Sequence, residues 1–594
     1  MTLPAAPADD DRIPDITRRR LAPPGPRDGV VSWLVTVLVV AVAAVLRFAG
    51  LAHPPGKAFD EIYYARDAWG LLTKGVEWNY ADDVPSYVVH PPLGKWLIAL
   101  GEWLFGYYDA DGEQRMAGHL IDTAPEFGWR FSVAVAGVLS VLLTVRIARR
   151  LFGSTLLGAA AGLLLAFDGF HLVLSRLALL DMFLLLFVLA TFGALLLDRD
   201  SRRRSLLAGR PTRRDTPPGR HKTARPAAAE PHPADAEGRD GQGRGPGDRA
   251  ATGVTAVHGA ATTEAAQADP GQAAGPGQPH LTDGNVGEVP VRRAAGVPWW
   301  RIVAAVLFAC AVATKWSALF FLPAFALLVV WWEAGARRSA GHPRPWRDAL
   351  RREVPWLAVC GGVILVVYLA TWSGWFLTDH GFYRHWLADS GRSEPPVIGA
   401  LWNLVHYHQE AFRFHSTLQT AHASQSWPWQ WLLLGKPVTV YLAYPGGNWG
   451  EVPVSEVMLL GTPLLWWSFL PAIAATVWLG IARRDWRAGS ILLVIAAGLL
   501  PWFWFAFDAH RVMYSFYTAP AVPFLVMAVV YTLGAVIGRP DAGPDRRMTG
   551  AVVAGAYTIL VILNFAYFYN LFVGLPLDFA DWSQRMWLGN RWHP

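Results

Sequence analysis

The sequence is poor in charge and in cysteine, and each shortage limits what the chain can be. Only 16% of its 594 residues are charged, whereas a soluble chain of this length carries about a quarter. The two cysteines, Cys310 and Cys360, lie inside apolar runs, so we expect neither a disulfide nor a cysteine metal site. The chain is instead 53% hydrophobic, and long apolar runs recur along it. This composition predicts a protein that crosses a membrane many times.

Short basic clusters between the apolar runs indicate membrane orientation rather than nucleic-acid binding, because Lys and Arg gather on the cytoplasmic side. Residues 1–29 are predicted to be a disordered cytoplasmic tail, and the apolar run after them is too long for a signal peptide. The clusters predict eleven spans, with the N-terminus inside and the C-terminus outside. The spans lie at about 31–48, 129–147, two within 150–199, two within 299–332, 354–376, 458–481, 491–507, 512–537 and 552–568.

Two long outer loops and one insertion interrupt these spans. The first outer loop covers residues 51–127, and a second large outer loop, the fourth in order, covers 377–455. Residues 197–298 are rich in Arg, Pro, Gly and Ala, with almost no aromatic residues, so they cannot bury enough apolar surface to fold. We expect a disordered cytoplasmic insertion between two transmembrane parts, 30–196 and 299–594. A regulatory role for the insertion stays open beside that of a tolerated addition.

Polar chemistry concentrates in residues 59–95 of the first outer loop. Asp60 and Glu61 directly follow an apolar segment, and His90 and Lys95 belong to a His-Pro-Pro-Leu-Gly-Lys turn. Ionisable residues in or near spans are costly and usually mark function, although any single one can be a structural ion pair, such as Asp181 with Arg176. The predicted topology places further ionisable residues at the same outer face: Arg130, Asp168, Arg176, Asp181, Lys315 and Arg511.

Carboxylates beside several cations fit a substrate that is a lipid-linked sugar phosphate. Cations neutralise the phosphate leaving group as its charge develops, and a carboxylate removes the proton from the attacking hydroxyl. One base and one displacement imply inversion at the anomeric carbon, whereas glycoside hydrolysis needs two opposed carboxylates. Adjacent side chains tend to point apart, so we expect one of Asp60 and Glu61 to be the base and the other to orient or hydrogen-bond.

Histidines in the second large outer loop raise the question of a metal. His406, His408, Glu410, His415 and His422 lie there, and on a strand the first two would share a face. Their spacing does not form a tight tetrahedral set. We therefore assign no metal site and favour aromatic and histidine side chains that pack a cleft for carbohydrate or peptide. The chemistry requires no cofactor, and a divalent metal requirement stays open.

Several motifs make the chain resemble the protein O-mannosyltransferases, in particular those of actinobacteria. The resemblance covers almost the whole chain except the tail and the insertion. Eukaryotic members carry a β-trefoil domain in the second large outer loop, and residues 377–455 are too few for one. The motifs are FDEIYYARDA at 59–68, HPPLGKW at 90–96, SRLALLDMF at 175–183, ATKWSALF at 313–320, HASQSWPWQW at 422–431, RVMYSFYTAPAVPFL at 511–525 and WSQRMWLGNRW at 582–592.

The resemblance implies an all-α polytopic membrane protein with a C-type glycosyltransferase fold, about eleven transmembrane helices and large first and fourth outer loops. It implies transfer of mannose from polyprenyl-phosphate-mannose to Ser or Thr of secreted or membrane proteins, with inversion, at the outer face of the cell membrane as acceptors leave the secretion translocon. Asp60 becomes the candidate base, with Glu61 beside it. The candidate donor-phosphate or substrate contacts are His90, Lys95, Arg130, Arg176, Asp181, Lys315 and Arg511.

Two alternatives remain open from the residues alone. A related enzyme would move another lipid-linked sugar to a glycan or lipid, since no residue pattern reads the hydroxyls of the sugar. A transporter or flippase would place charges near the middle of the bilayer and show repeat-related halves. The sequence has no internal repeat, and its charges are predicted at one face.

Overall fold

The computed structural model of the chain describes most of the predicted transmembrane and loop residues. The predicted tail lies outside the described residues apart from Leu21 and Gly29, and so do residues 209–295 of the predicted insertion. The described ranges are 29–108, 115–208, 296–419, 422–444, 452–508, 511–539 and 541–592, together with Leu21.

The first half of the fold alternates long apolar helices with a folded outer loop. The helix that begins at Thr155 has an N-cap serine, Ser154, whose side chain accepts a hydrogen bond from the Leu157 amide. In chain order the elements are α1 (Val30–Phe48), α2 (Glu61–Lys74), β1 (Trp78–Asn79), β2 (Val84–Pro85), α3 (Leu93–Phe105), β3 (Tyr107–Tyr108), β4 (Arg115–Met116), α4 (Pro125–Phe152), α5 (Thr155–Ala166), α6 (Gly169–Leu174) and α7 (Leu180–Ala208).

The second half of the fold contains the remaining apolar helices and the second large outer loop. Its elements are α8 (Trp299–Val312), a 3-10 turn (Trp316–Phe320), α9 (Phe321–Ser339), α10 (Pro345–Thr371), α11 (Ser373–Leu377), α12 (Trp386–Asp389), α13 (Ile398–Thr417), α14 (Pro428–Trp431), β5 (Val438–Ala443), β6 (Ser455–Leu459), α15 (Pro463–Trp467), α16 (Phe469–Arg483), α17 (Trp486–Phe507), a 3-10 turn (Ser515–Ala521), α18 (Val522–Ile537), α19 (Pro544–Val573), α20 (Phe579–Gln584) and a 3-10 turn (Gly589–Arg591).

Nine helical segments among the described residues are long and apolar enough to cross a membrane. They comprise α1, α4, α7, α10, α17 and α19, together with α9 and α18 extended by their 3-10 turns and α15 joined to α16. The apolar helices α5 and α8 have 12 and 14 residues, too few to cross about 30 Å of hydrocarbon alone. They lie where the third and fifth spans are predicted. The prediction of an all-α polytopic protein is confirmed, and the count of eleven spans stays a prediction.

The start of the predicted insertion differs from the structure, because α7 continues through residue 197 to Ala208. The charges in this last part of α7 are paired across helices instead of being solvated. Asp198 accepts hydrogen bonds from Arg301 of α8, with Nη2 at 2.6 Å, and Arg301 also bonds Glu353 of α10. Asp200 lies 2.7 Å from Arg150 of α4. Composition alone marked this segment as disordered because it does not show which distant residues neutralise the charges.

The first outer loop is folded onto the helices and contains α3. Helix α3 packs against α2 and α4 and buries Ile98 and Ala99 completely. Gly101 allows this approach, since a Cβ there would lie 2.3 Å from the Gly128 carbonyl oxygen of α4. Leu100 and Trp103 remain exposed on the opposite side. Helix α3 therefore holds α2 in place against α4.

In the second large outer loop, His406 and His408 lie on helix α13, so the shared face that a strand would give them does not arise. His406 stacks on Trp386 with ring centroids 3.9 Å apart, whereas the Nε2 atom of His408 lies 2.7 Å from the Tyr368 hydroxyl. Two residues on a helix are about 200° apart, so these rings face different neighbours. The loop ends in β5 and β6, which pair antiparallel from Val438 opposite Leu459 to Ala443 opposite Ser455.

The Arg301→Gln variant tests the ion pairs that join α7, α8 and α10. We expect its unfolding free energy to fall by about 3–5 kcal/mol, because removal of one buried partner leaves uncompensated carboxylates. Chemical unfolding in detergent micelles measures the change. The control Arg115→Gln disrupts a pair with Asp122 whose side chains are 69% and 51% exposed, so its effect should stay within about 1 kcal/mol. Equal effects in both variants would contradict this account.

Candidate active site

Glu61 is fully buried and its carboxylate is saturated by protein donors. Its Oε1 accepts from the Nε of Arg130 and the amide of Ala178, each at 2.8 Å. Its Oε2 accepts from the Nη2 of Arg130 at 2.7 Å and the amide of Ala58 at 2.8 Å. A bidentate pair of this kind has a fixed geometry. Glu61 therefore positions the start of α2 and has no free lone pair directed at a substrate.

Arg130 connects this pair to the loop that precedes Asp60. It is fully buried in α4 and donates to three backbone carbonyls in addition to Glu61. The acceptors are Leu51 at 3.3 Å, Pro54 at 2.8 Å and Gly56 at 3.0 Å. All of its charge is directed to protein groups, so these contacts do not favour the predicted direct contact with the donor phosphate.

Asp60, the neighbour of Glu61, has a different environment. It occupies the N-cap position of α2, is half-buried, and accepts one hydrogen bond, from the Tyr64 hydroxyl at 3.4 Å. Burial raises the pKa of Asp60 to about 6. The charge of Lys315 opposes that rise, Asp181 adds to it, and the bond from Tyr64 opposes it. Asp60 therefore combines open acceptor capacity with a pKa suited to proton transfer near neutral pH.

Lys315 and Asp181 form a buried ion pair close to Asp60. The Lys315 Nζ lies 2.7 Å from the Asp181 Oδ2, and the side chains are 7% and 5% exposed. Asp181 is in the first turn of α7, and Lys315 directly precedes the 3-10 turn before α9. The same Nζ lies 5.4 Å from the ring centroid of Phe516. Lys315, rather than Arg176, is the partner of Asp181.

Arg511 is a second cation at this site, and it has no carboxylate partner among the described residues. Its guanidinium lies 5.5 Å from the ring centroid of Tyr517, and the Lys315 Nζ lies 5.9 Å from the same ring. Arg511 is only 7% exposed, and its Nε has no hydrogen-bond partner in the described part of the chain. A buried, unpaired guanidinium is costly unless an anion binds it. Both cations thus lie within 6 Å of the centre of the Tyr517 ring.

His90 lies close to Tyr64 of α2 and within the electrostatic influence of both cations. Its ring is 5.1 Å from that of His415 and 6.1 Å from that of Tyr64. Burial lowers the pKa of His90 well below its usual value, and Lys315, His415, Lys95 and Arg511 lower it further. The imidazole is therefore neutral at physiological pH. A neutral ring beside two cations can donate a hydrogen bond to a phosphate oxygen without adding charge.

Lys95 and Arg176, which were also predicted to contact the donor or substrate, bind protein groups instead. Lys95 is fully buried, bonds Glu77, and lies 3.9 Å from Asp67. These contacts tie α3 to α2 and do not favour a direct role at the donor. Arg176 closes the C-terminal end of α1 in the same way, with its guanidinium donating to the carbonyls of Leu46, Arg47, Ala49 and Gly50.

Asp168, which the topology also places at the outer face, caps α6. Its carboxylate is fully buried and accepts from the amides of His171 and Thr462 and from the indole of Trp466. These bonds join α6 to the segment before α15. Its role is therefore to connect two parts of the fold.

Sequence reasoning did not assign Tyr64 or His415 to the site. Tyr64 lies four residues after Asp60 on α2, and side chains at this spacing meet on a helix, so the spacing could have identified it. His415 carries no comparable signal, because its ring reaches the site through the Val89 carbonyl, 2.9 Å from Nε2 and 326 residues away in sequence. No group of three or more His, Cys, Asp or Glu side chains among the described residues is arranged to hold a metal ion.

An apolar groove of about 1150 Å³ opens beside the site. Its wall includes Trp316, the residue after Lys315, and the helices α10 and α13 form its sides. Few polar groups interrupt this surface, His408 being one. The groove therefore places an apolar surface between helices next to the segment that carries Lys315. Further lining residues are Val312, Ile364, Tyr368, Leu404 and Phe412.

The fold is that of the membrane glycosyltransferases of the C type. The solved structure of the Saccharomyces cerevisiae protein O-mannosyltransferase Pmt1-Pmt2 complex bound to the sugar donor matches with a TM-score of 0.62. The match covers 98% of this chain and 96% of that chain at 13% identity, so it concerns the fold alone. The predicted fold class is confirmed.

Sequence relatives narrow this class to a family. Residues 37–206 match the dolichyl-phosphate-mannose-protein mannosyltransferase family, and residues 400–592 match the C-terminal four-transmembrane region of protein O-mannosyltransferases. The polyprenol-phosphate-mannose–protein mannosyltransferase of Mycolicibacterium smegmatis is 36% identical over 95% of this chain and 94% of its own length. That of Corynebacterium glutamicum is 28% identical over 93% and 92%. The chain belongs to the protein O-mannosyltransferase family, as the motifs predicted.

Substitution of the adjacent carboxylates should separate their roles in stability. We expect Asp60→Asn to leave the melting temperature at pH 8 unchanged or higher, because burial disfavours the Asp60 charge. We expect Glu61→Gln to lower it, because the amide cannot accept all the hydrogen bonds and leaves Arg130 uncompensated. Thermal unfolding of the detergent-solubilised protein measures both changes. A larger loss for Asp60→Asn than for Glu61→Gln would show that these assignments are reversed.

Proposed function

We propose that this chain transfers mannose from polyprenol-phosphate-mannose to Ser and Thr hydroxyls of proteins, with inversion at the anomeric carbon. The observation that carries the proposal is the half-buried carboxylate of Asp60, with its raised pKa, beside the buried cations Lys315 and Arg511. Membership of the family and the names of its mycobacterial and corynebacterial members support the sugar and the acceptor class.

In the proposed reaction Asp60 is the general base. Its carboxylate takes the proton of the acceptor hydroxyl as the oxygen attacks the anomeric carbon from the face opposite the phosphate. The bond between the anomeric carbon and the phosphate oxygen breaks, and polyprenyl phosphate leaves with the electron pair. One displacement inverts the configuration. Glu61 does not take the proton, because protein donors already occupy both of its oxygens.

Lys315 and Arg511 would stabilise the leaving phosphate. Positively charged groups placed before the reaction act most strongly where charge develops in the transition state. Asp181 fixes the Lys315 ammonium at 2.7 Å and offsets part of its charge, whereas no carboxylate among the described residues pairs with Arg511. His90, as a neutral donor, would bond a phosphate oxygen. The donor phosphate therefore belongs on the side of the site where these three residues meet.

The apolar groove beside Trp316 would hold the first isoprene units of the donor. A polyprenyl chain has no polar groups, and the groove offers an apolar wall directly after the Lys315 cation. The phosphate at the cations and the tail in the groove would fix the donor at both ends. Orientation of this kind contributes to rate because the reacting atoms meet in a productive geometry.

The location of the site follows from the positive-inside rule, which favours an outer position for Asp60 and an inner position for the Arg-rich ends of α4 and α9. The enzyme would then be a multi-pass protein of the cell membrane with a cytoplasmic N-terminus and an extracytoplasmic C-terminus. Acceptor proteins would reach Asp60 as they emerge from the secretion translocon. A different sugar or a glycan acceptor remains the alternative that the transfer assay must separate.

A transfer assay with membranes tests the proposal directly. Membranes receive polyprenyl-phosphate-[radiolabelled]mannose and a Ser/Thr/Pro-rich peptide. We expect label in the peptide with the native chain and a loss of about 10²–10⁴-fold in Asp60→Asn, the usual contribution of a general base. The control Asp82→Asn changes an exposed carboxylate of the same loop and should transfer normally. Label in a glycan instead of the peptide would favour the alternative acceptor, and equal labelling by Asp60→Asn would exclude Asp60 as the base.

The pH dependence of the transfer rate should report the ionisation of Asp60. A base acts in its deprotonated form, so we expect kcat/KM to fall as pH decreases through about 6. Asp181→Asn removes a charge that raises the pKa of Asp60, and should move this acidic limb to lower pH. Lys315→Gln removes a charge that lowers it, and should move the limb to higher pH. Shifts in the same direction would contradict the electrostatic arrangement.

A further inference from the structure

We propose that Phe59 is a positioning residue for Asp60, acting through a left-handed backbone and a ring enclosed by aromatic side chains from two distant segments. The proposal deepens the proposed function, because it concerns how the base is aimed. Phe59 has no polar atom in its side chain and performs no chemical step. Its effect would reach the substrate only through its neighbour Asp60.

The backbone of Phe59 has an unusual conformation for a bulky residue. Its φ is +54°, in the left-handed region that residues with a Cβ rarely adopt. Such strained conformations persist only where surrounding contacts hold the backbone in place, and they cluster at active sites. Here the Ala58 amide donates to the Glu61 carboxylate, and the Glu61 amide donates to the Ala58 carbonyl at 3.1 Å. This closed turn contains both Phe59 and Asp60, so the conformation of Phe59 affects where Asp60 lies.

The ring of Phe59 is fixed from the other side by three aromatic rings, which we call the Phe59 cage. The cage consists of His422, Tyr514 and Phe516, with ring centroids 6.4, 6.2 and 5.9 Å from that of Phe59. All three contacts are edge-to-face, at interplanar angles of 85°, 82° and 75°, and such pairs add stability beyond burial alone. Tyr514 and Phe516 are themselves stacked 5.0 Å apart.

The cage also contacts the cation side of the site. The Lys315 Nζ lies 5.4 Å from the ring centroid of Phe516, and Tyr514 and Phe516 lie only a few residues after Arg511 in the chain. His422 comes from the second large outer loop, where the Ser426 amide donates to the Met513 carbonyl at 2.9 Å. Through the Phe59 cage, the Phe59 ring therefore connects the residue before the proposed base with the segments that carry the cations. This contact sets the position of Asp60 relative to the phosphate side.

Substitution of Phe59 should change the catalytic step more than donor binding. Phe59→Leu keeps the apolar bulk and loses the edge-to-face contacts, so we expect kcat to fall about 10- to 100-fold with the donor KM within about 2-fold, because small displacements of a base are costly. Phe59→Gly adopts a positive φ freely and Phe59→Ala does not, so the alanine variant should be the slower of the two. An unchanged kcat, or a changed KM alone, would overturn the proposal.

A second variant addresses the cage from the opposite side. His422→Leu alters the outer-loop wall without touching the turn at residues 58–61. We expect it to lower kcat in the same way as Phe59→Leu, and the double variant to lose less than the product of the single losses, because both act on one contact. A fully multiplicative loss would show that the two residues act independently and would overturn the proposal.

A measurement without mannose transfer separates this proposal from the proposed function. The charged groups that act on Asp60 are Lys315 and Asp181, with the Tyr64 hydroxyl bonded to it. Because burial raises the folded-state pKa of Asp60, ionisation costs stability, and the melting temperature of the native chain relative to Asp60→Asn should fall as pH rises from about 4 to above 6. In Phe59→Leu, where water reaches Asp60 more easily, this fall should be smaller. An equal fall in both backgrounds would overturn the role of Phe59 even if the native chain proved to transfer a different sugar.

Discussion

The buried pair between Glu61 and Arg130 is the constraint on which the site depends. Each guanidinium and carboxylate group is expensive to remove from water, so the pair persists only because both are fully hydrogen-bonded. The same Arg130 contacts fix the loop after α1, and the same Glu61 contacts reach the chain before α7 through Ala178. Asp60, the proposed base, precedes Glu61 directly in the chain, so the pair restricts where the Asp60 backbone can lie.

Two adjacent carboxylates have different hydrogen-bonding environments. Glu61 receives enough donors to stay charged while buried, whereas Asp60 receives one long hydrogen bond and keeps free acceptor capacity. The cations show the same division, since Arg130, Arg176 and Lys95 are bonded to protein oxygens, whereas Arg511 has no carboxylate partner among the described residues. The charges that serve structure are paired, and those suited to a substrate are left partly open.

The sequence predicted the elements of this fold better than the partners within the site. Apolar run length and basic clusters located the helices, and the motifs identified the family. Neither indicated that Lys95 bonds Glu77 or that Arg176 closes α1, because such pairings depend on how helices pack. Asp60 and Lys315 were assigned from type and predicted side of the membrane. Phe59 escaped notice because a phenylalanine in an apolar segment carries no sign of a left-handed backbone.

The ion pairs at the end of α7 affect how the chain tolerates added sequence. Arg301 joins Asp198 across α7 and α8, so the two helices are already neighbours where the described chain leaves one and returns to the other. The entropy lost in closing a flexible connection grows only with the logarithm of its length, about 0.6 kcal/mol for each doubling. A lengthened connection at this place therefore costs little. The membrane part of the enzyme can thus acquire sequence there without disturbing the candidate site.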